Sequence, residues 1–385
     1  MDATGIRNPK ARSIAYQVGL CVVIGLLVYG AIANAIENLA RAKIASGFEF
    51  WNTTAGFDIS QTLIDYSITS TYGRAFWVGL LNTLLVAGIG IVLATVLGFV
   101  IGIARLSRNW LVARLAGFYV ETIRNIPLLL QLLFWYNAVL KALPEQLQDS
   151  VRIAGGYLNR RGLFLPQPVF GDGADFAFGA LIAGLAAAIA FRIWAERHQM
   201  QTGKRHPVFL AMLGLIIVPP LVALAIEGFP VSLTYPFPGR FNIQGGIEIL
   251  PEFIALLLGL VVYTASFIAE VVRAGLQSVP RGQSEAAKAL GLANTPTLRL
   301  VVIPQAMRVI IPPLTSQYLN LTKNSSLAVA IGYPDLVQIF AGSVLNLTGQ
   351  AVEVISVTMA VYLIISLITS LLMNLYNRRI TAVER

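Results

Sequence analysis

Charged residues are scarce in this sequence, and cysteine occurs once. Asp, Glu, Lys and Arg make up 12% of the 385 residues, whereas hydrophobic residues make up 56%, and the mean hydropathy is +0.71. Soluble domains carry about 25% charged residues, so the composition predicts an integral membrane protein. Cys21 is the only cysteine, which excludes an intrachain disulfide and a cysteine-rich metal site. We interpret it as a small buried hydrophobic residue.

The motifs of the common enzyme and nucleic-acid-binding classes are also missing. No Gly-x-x-x-x-Gly-Lys-Ser/Thr phosphate loop occurs, since residues 202–206 (TGKRH) lack the upstream glycine and the hydroxyl residue. No nucleophile triad or metal-ligand cluster is present, and we interpret His198 and His206 as solvated loop residues. The net charge of +9 comes from scattered Lys and Arg residues, which indicates membrane lipid rather than nucleic acid as a partner. We predict no catalytic residues, no metal and no cofactor bound by this chain.

Long apolar runs predict an all-α polytopic membrane protein with about eight transmembrane helices. A helix of about 20 apolar residues crosses the bilayer core. Two of the runs contain Glu121, Arg124 and Lys323, and charges at membrane depth favour the interior of a helix bundle over the lipid. The eight predicted spans are residues 13–36, 76–104, 118–142, 176–194, 207–226, 253–272, 306–331 and 354–373.

The distribution of Lys and Arg predicts the orientation in the membrane. An even number of spans places both termini on one side, and the segments on that side hold eighteen Lys and Arg residues, against eight in the opposite loops. Positive residues favour the cytoplasmic side, so we predict an inner-membrane protein with both termini in the cytoplasm. The run that ends near Ala31-Ile32-Ala33 has features of a signal peptide, but it is longer than a typical signal core, and we predict a retained first span.

One polar, helix-forming stretch, residues 282–307, interrupts the apolar pattern on the predicted cytoplasmic side. Residues 285–290 are strong helix formers, and Gly291 follows where a left-handed residue ends a helix. Thr295 and Pro296 then predict the N-cap and first position of a second helix that runs toward Pro304. The short first helix needs an external surface for Ala286, Ala289 and Leu290. A docked protein and the lipid headgroups satisfy that need equally well.

The same stretch resembles the EAA loop of ABC-importer permeases. Glu285-Ala286-Ala287, three residues, Gly291, nine residues and then Val301-Val302-Ile303-Pro304 follow the EAA pattern with conservative replacements at Val301 and Ile303. Four further stretches are similar to the bacterial polar amino-acid uptake branch (histidine, glutamine and arginine type): residues 79–88, 119–136, 264–292 and 318–336. The larger layout resembles general L-amino-acid permeases.

The resemblance implies a type I importer permease, with a core of five helices and three additional ones. It implies an extra N-terminal span and periplasmic loop (1–75), two parts of the core (76–142 and 252–376), inserted periplasmic loops with a helical hairpin (143–251), and a cytoplasmic tail (377–385). The implied partners are a cytoplasmic ABC ATPase dimer that binds ATP and Mg, a second, related permease and a periplasmic amino-acid-binding protein. The ATPase would bind the coupling loop 275–305, at Glu285, Ala286, Ala287, Leu290, Gly291 and Pro304.

Polar residues within the predicted spans are the candidates for the substrate pathway. An amino acid carries a carboxylate and an ammonium, and both need partners in a low dielectric. Lys323, Asn324, Ser325 and Ser326 form one candidate group, and Glu121 with Arg124 forms the other. The latter two lie three residues apart, so they can also pair with each other. We predict an ATP-driven amino-acid permease of broad specificity; the alternative, an ion-coupled secondary transporter, would need matching internal repeats, and we find none.

Overall fold

A computed structural model describes residues 9–41, 46–145, 149–171, 174–203, 206–228, 231–239 and 242–381 of the chain. It contains two compact units, one formed by Met1–Tyr136 with Ala255–Arg385 and the other by Asn137–Ile254. Helices predominate in both units, as predicted.

The first unit contains the helices of the predicted permease core, and the start of α7 lies in the other unit. Its helices are α1 (Pro9–Arg41), α2 (Tyr72–Ala104), α3 (Trp110–Asn125), α4 (Leu128–Leu133), α7 (Pro251–Gln277), α8 (Arg281–Ala289), α9 (Asn294–Thr297), α10 (Ile303–Asn324), α11 (Leu345–Thr348) and α12 (Ala351–Thr381). π-helical turns at Phe134–Val139, Leu298–Val302 and Val337–Val344 and short 3-10 turns connect or extend several of these helices.

Among the described residues, seven helical segments are long and apolar enough to cross a membrane, or eight if the bent pair of α3 and the helix that starts at Leu128 counts as one span. This agrees with the predicted number. The predicted span 118–142 contains a bend of 104° between Asn125 and Leu128. Ile126 adopts an extended conformation, with φ −97° and ψ 125°. The ring of Pro127 disfavours a helical conformation in the preceding residue.

Within its described residues, the second unit combines a helical hairpin with three small sheets. The hairpin consists of α5 (Ala174–Thr202) and α6 (Val208–Ile226). The largest sheet has the antiparallel order β1-β2-β3-β8, and two-stranded sheets pair β4 with β5 and β6 with β7. The strands are β1 (Val151–Ile153), β2 (Gly156–Asn159), β3 (Gly162–Leu165), β4 (Gln167–Phe170), β5 (Val231–Thr234), β6 (Phe237–Pro238), β7 (Ile243–Gln244) and β8 (Ile247–Ile249). The inserted loops therefore contain small sheets within a fold that is mostly helical, as predicted.

Helices α2 and α7 pack in close contact in the first unit. A Cβ atom added at Gly98 would lie 2.6 Å from the Cβ of Ile268, and one at Gly102 would lie 2.7 Å from the carbonyl oxygen of Ala269. Residues without side chains at these two positions therefore let the two helices approach each other. This contact fixes the ends of α2 and α7 beside one another.

An aromatic cluster joins the loop before α2 to the segment after α10. The Trp51 ring lies 5.1 Å from the Phe76 ring and 5.7 Å from the Phe340 ring, measured between centroids. Phe50, Phe76 and Phe340 are buried. Part of the predicted N-terminal addition therefore packs directly on the core.

Two interpretations of single residues are wrong. Cys21 is exposed, because the described side chains of α1 pack against nothing in this chain. His198 lies within α5 rather than in a loop, and its ring stacks on that of Trp194 at 5.0 Å. The Nε2 atom of His206 is buried, so neither histidine is a freely solvated loop residue.

Candidate functional site

The predicted coupling stretch forms a short helix that ends in a sharp turn. Helix α8 ends at Ala289, and Gly291 follows with a φ of +80°. The Gly291 N–H donates to the Lys288 carbonyl at 2.9 Å, and the Leu292 N–H donates to the Ala287 carbonyl at 3.1 Å. These two hydrogen bonds define a Schellman motif, in which a left-handed residue ends the helix. The sequence prediction of a turn at Gly291 is confirmed.

Helix α8 leaves one face uncovered. Ala287 is buried, and α8 packs against the π-helical segment Leu298–Val302. Glu285 and Ala286 are exposed on the helix, and Leu290 is 84% exposed at its end. The side chains of Glu285, Ala286 and Leu290 are therefore accessible from outside the chain.

The second half of the stretch differs from the prediction. Helix α9 begins at Asn294 with Ala293 as its N-cap, so the predicted N-cap at Thr295 is wrong. The side chain of the buried Thr297 donates to the Ala293 carbonyl at 2.9 Å. Pro304 is exposed in the first turn of α10, where the missing N–H of proline costs no helical hydrogen bond.

An ion-pair cluster joins the ends of α2 and α7 close to α8. Arg105, directly after α2, and Arg273, in the last turns of α7, both bind the carboxylate of Glu270. Arg273 uses two nitrogens for this contact and donates to the Gln277 side chain with a third. Each side chain of this trio is less than a third exposed, so solvent screens the cluster only in part.

Glu121 and Arg124 do not pair with each other in the structure. A Glu121 oxygen lies 3.8 Å from a nitrogen of Arg105, and the guanidinium of Arg124 lies 4.9 Å from the centroid of the Phe267 ring. The prediction of an ion pair between Glu121 and Arg124 is therefore wrong, because the two side chains contact different neighbours. Glu121 lines a cavity of about 340 Å³ with Arg105, Arg114 and Arg273.

Lys323 lines a separate cavity of about 450 Å³ between the end of α10 and α12. Its side chain is exposed and forms no ion pair with a described residue. Ser326 also lines this cavity, Asn324 is partly buried, and Ser325 is buried with its hydroxyl bound to the Thr322 carbonyl. The remaining lining residues are Val337, Thr358, Met359, Tyr362, Leu363 and Ser366. Glu121 of one predicted group and Lys323 of the other therefore line different cavities.

A fully buried carboxylate lies behind this second cavity. Tyr362, which lines the cavity, donates its hydroxyl to Asp335 at 3.2 Å, and the backbone N–H of Gln338 donates to the other oxygen at 2.8 Å. Asp335 has no exposed surface and forms no ion pair with a described residue. An acidic residue buried among apolar spans is a functional candidate.

Side chains of α2 hold the loop that carries Asp335. The Leu336 N–H donates to the Thr83 hydroxyl at 3.0 Å, and the Asn82 amide donates to the Pro334 carbonyl at 2.8 Å. Asn82 and Thr83 are both buried. The loop is thereby fixed through polar contacts that require the specific side chains of α2.

Sequence reasoning missed Asp335, Tyr362, Arg105 and Glu270. The signal for Asp335 was an acidic residue in an apolar region, the criterion that selected Lys323. No comparable signal marks Arg105 and Glu270, because charged residues near the ends of spans are common and their contact joins distant parts of the chain.

Comparison with known proteins places the chain in a family. The family described as "Binding-protein-dependent transport system inner membrane component" matches residues 94–382. The General L-amino acid transport system permease protein AapQ of Rhizobium johnstonii is 50% identical over 98% of this chain and 94% of its own length. The putative amino-acid ABC transporter permease protein YhdX of Escherichia coli is 51% identical over 98% and 96%, respectively.

A third relative has a narrower name. The glutamate/glutamine/aspartate/asparagine transport system permease protein BztB of Rhodobacter capsulatus is 42% identical over 99% of this chain and 96% of its own length. Identity at this level over nearly the whole of all three relatives includes the inserted unit as well as the predicted core. The chain belongs to the family of inner-membrane components of binding-protein-dependent transport systems.

Proposed function

We propose that this chain is the permease subunit of an ATP-driven ABC importer that takes up L-amino acids with broad specificity. The observation that carries the proposal is the alignment of at least 98% of the chain with three relatives whose names all specify amino-acid transport. The membership in a binding-protein-dependent family favours this function over the ion-coupled alternative.

The proposed assembly contains three kinds of partner. A cytoplasmic ATPase dimer binds ATP and Mg and contacts α8 through Glu285, Ala286 and Leu290, which the fold leaves exposed. A second, related permease completes the pathway, and a periplasmic binding protein delivers the amino acid. Both termini lie in the cytoplasm, which places α8 on the side where ATP is available.

The proposed pathway uses the cavity that Lys323 lines. A cation at membrane depth needs an anion, and every amino acid supplies an α-carboxylate. Recognition through this shared group is compatible with many side chains, and therefore with broad specificity. Ser325 has a structural role in this proposal because its hydroxyl binds the Thr322 carbonyl. Glu121 lines the other cavity and Arg124 lies over the Phe267 ring, so neither contacts the substrate in this proposal.

Transport by the reconstituted complex tests the proposal. The chain is co-expressed with the candidate ATPase, second permease and binding protein of its own organism, and the purified complex is reconstituted in liposomes. We expect uptake of labelled glutamate, leucine and arginine only when the binding protein is on the periplasmic side of the membrane and ATP is on the cytoplasmic side. A complex whose ATPase carries a substitution in its own phosphate-loop lysine is the control. Uptake driven by an ion gradient without ATP would contradict the proposal.

A further inference from the structure

The cavity that contains Glu121 lies where two membrane spans end. Arg105 follows the last residue of the span Tyr72–Ala104, and Arg273 and Gln277 lie in the last turns of the span Pro251–Gln277. Its depth in the membrane therefore matches the headgroup region, whichever side of the bilayer this end faces.

Helix α3 lines one side of the cavity and carries large exposed apolar side chains. It bends by 104° from the segment that follows it. Trp110 is 75% exposed, Phe118 is 70% exposed and Leu115 is 61% exposed. Arg114 and Glu121, from the same helix, line the cavity. Trp110, Arg114 and Phe118 are spaced four residues apart, and Glu121 follows Phe118 by three. Exposed apolar and charged side chains therefore lie together on one face of α3, beside the cavity.

The charges that line the cavity have both signs. Glu270 already binds Arg105 and Arg273. Arg114 is exposed and makes no hydrogen bond or ion pair with a described residue. Glu121 is 75% exposed, and its 3.8 Å distance from Arg105 exceeds a hydrogen bond. The cavity therefore offers an uncommitted guanidinium and a carboxylate with free acceptor sites.

We propose that this cavity binds the phosphoethanolamine headgroup of a membrane phospholipid. The phosphate binds Arg114 and the outward-facing side of Arg105, and the ammonium binds Glu121. The exposed apolar residues of α3 contact the acyl chains. The cavity of about 340 Å³ is large enough for one headgroup. The binding is independent of the amino-acid pathway, because Lys323 lines a different cavity.

The full-length chain, purified and incorporated into nanodiscs of phosphatidylethanolamine, phosphatidylglycerol or phosphatidylcholine, tests the proposal. Native mass spectrometry after extraction counts retained lipids. We expect one retained phosphatidylethanolamine and weaker retention of the other two, since phosphatidylglycerol lacks the ammonium and phosphatidylcholine lacks its N–H donors. Arg114→Gln should lower retention by about fivefold, the effect of one basic residue at the membrane surface.

Two further variants test whether lipid retention depends on the residues that line the cavity. Arg108→Gln removes the same charge at the same end of α2 but outside the cavity lining, so it should retain lipid as the wild type does. Glu121→Gln should reduce the preference for phosphatidylethanolamine over phosphatidylglycerol. Equal retention of the three lipids by the wild type, or equal lipid loss in Arg114→Gln and Arg108→Gln, would overturn the proposal.

A further measurement distinguishes a phospholipid from soluble phosphate as the ligand of the cavity. Inorganic phosphate is added to delipidated wild-type protein, and the thermal unfolding midpoint is measured. If phosphate stabilises the wild type but not Arg114→Gln while no phospholipid is retained from any nanodisc, the cavity takes soluble phosphate and the lipid proposal is wrong.

Discussion

The backbone N–H of Leu292 donates a hydrogen bond to the carbonyl oxygen of Ala287 at 3.1 Å and so closes the turn after α8. The bond forms because Gly291, between the two, has a φ of +80°. A Cβ atom added at Gly291 would meet nothing within 4 Å. The backbone conformation alone therefore restricts this position to glycine.

Gly291→Val should disturb the turn without disturbing the spans. A β-branched residue in this conformation costs about 1–2 kcal/mol, so α8 should lose its fixed orientation. We expect weaker co-purification of the ATPase and lower substrate-stimulated ATP hydrolysis, with normal membrane insertion. Gly282→Val is the matched control, because Gly282 also has no atoms within 4 Å of an added Cβ but lies in the helix. Equal co-purification of the ATPase and equal substrate-stimulated ATP hydrolysis in the two variants would refute the role of the turn.

Thr83→Val should loosen the loop that carries Asp335. The substitution leaves the buried N–H of Leu336 without its acceptor, at a cost of about 1–3 kcal/mol. The thermal unfolding midpoint of the purified chain should fall. Thr369→Val removes only a hydroxyl that binds the Ile365 carbonyl of its own helix, and it should leave the midpoint nearly unchanged. Similar midpoints for the two variants would show that the loop does not depend on α2.

Glu270→Gln should destabilise the junction of α2 and α7. It removes the charge that Arg105 and Arg273 share, and for a cluster between surface and interior we expect a loss of about 1–2 kcal/mol. The measurement is the unfolding midpoint at low and at high salt. Glu196→Gln, in an exposed pair with Arg192, should cost less than about 0.5 kcal/mol. A loss at Glu270 no larger than that of the control would contradict the structural role.

Lys323→Met should lower the uptake of acidic, neutral and basic amino acids by similar factors. The reason is the shared α-carboxylate, which loses its cationic partner at membrane depth. Uptake per assembled complex is measured with one substrate of each charge type, and basal ATP hydrolysis should persist. Lys323→Arg keeps the charge and should keep part of the uptake. An unchanged rate for all three substrates in Lys323→Met would eliminate the carboxylate role.

Gly184→Val should separate the helices of the α5–α6 hairpin. A Cβ atom at Gly184 would lie 2.3 Å from the carbonyl oxygen of Leu215, which is backbone and cannot rotate away. Overpacking of this kind costs about 1–3 kcal/mol, and we expect a lower unfolding midpoint. Gly179→Val, on the same helix with nothing within 4 Å, should be tolerated. Tolerance of both changes would show that the hairpin does not need this close approach.

The turn at Gly291 was predictable because its signal is local. Strong helix formers followed by glycine define the end of a helix without reference to any other part of the chain. The bend at Pro127 also has a local cause, since proline disfavours a helical conformation at Ile126. The predicted N-cap at Thr295 is wrong because the helix begins earlier, at Asn294, and has no side-chain cap.

Contacts between distant segments were not predictable from the sequence. Strand β3 pairs with β8, with Leu163 opposite Ile249, and strands of three or four residues carry too little pattern to show this partnership. The Arg105–Glu270 contact likewise requires the packing of α2 on α7. Local chemistry could therefore predict the helix and turn that end at Gly291, whereas the ion-pair cluster and the loop with Asp335 required the structure.

The empty space around Gly291 has a consequence for engineering. Because the hydrogen bonds of the turn join backbone atoms, the exposed side chains of Glu285, Ala286 and Leu290 can be substituted without altering its backbone. A library randomised at these three positions, with Gly291 kept, would change the complementarity of α8 while preserving its geometry. Such a library could be selected for pairing with a foreign ATPase, which would produce an orthogonal transporter that works beside the native one.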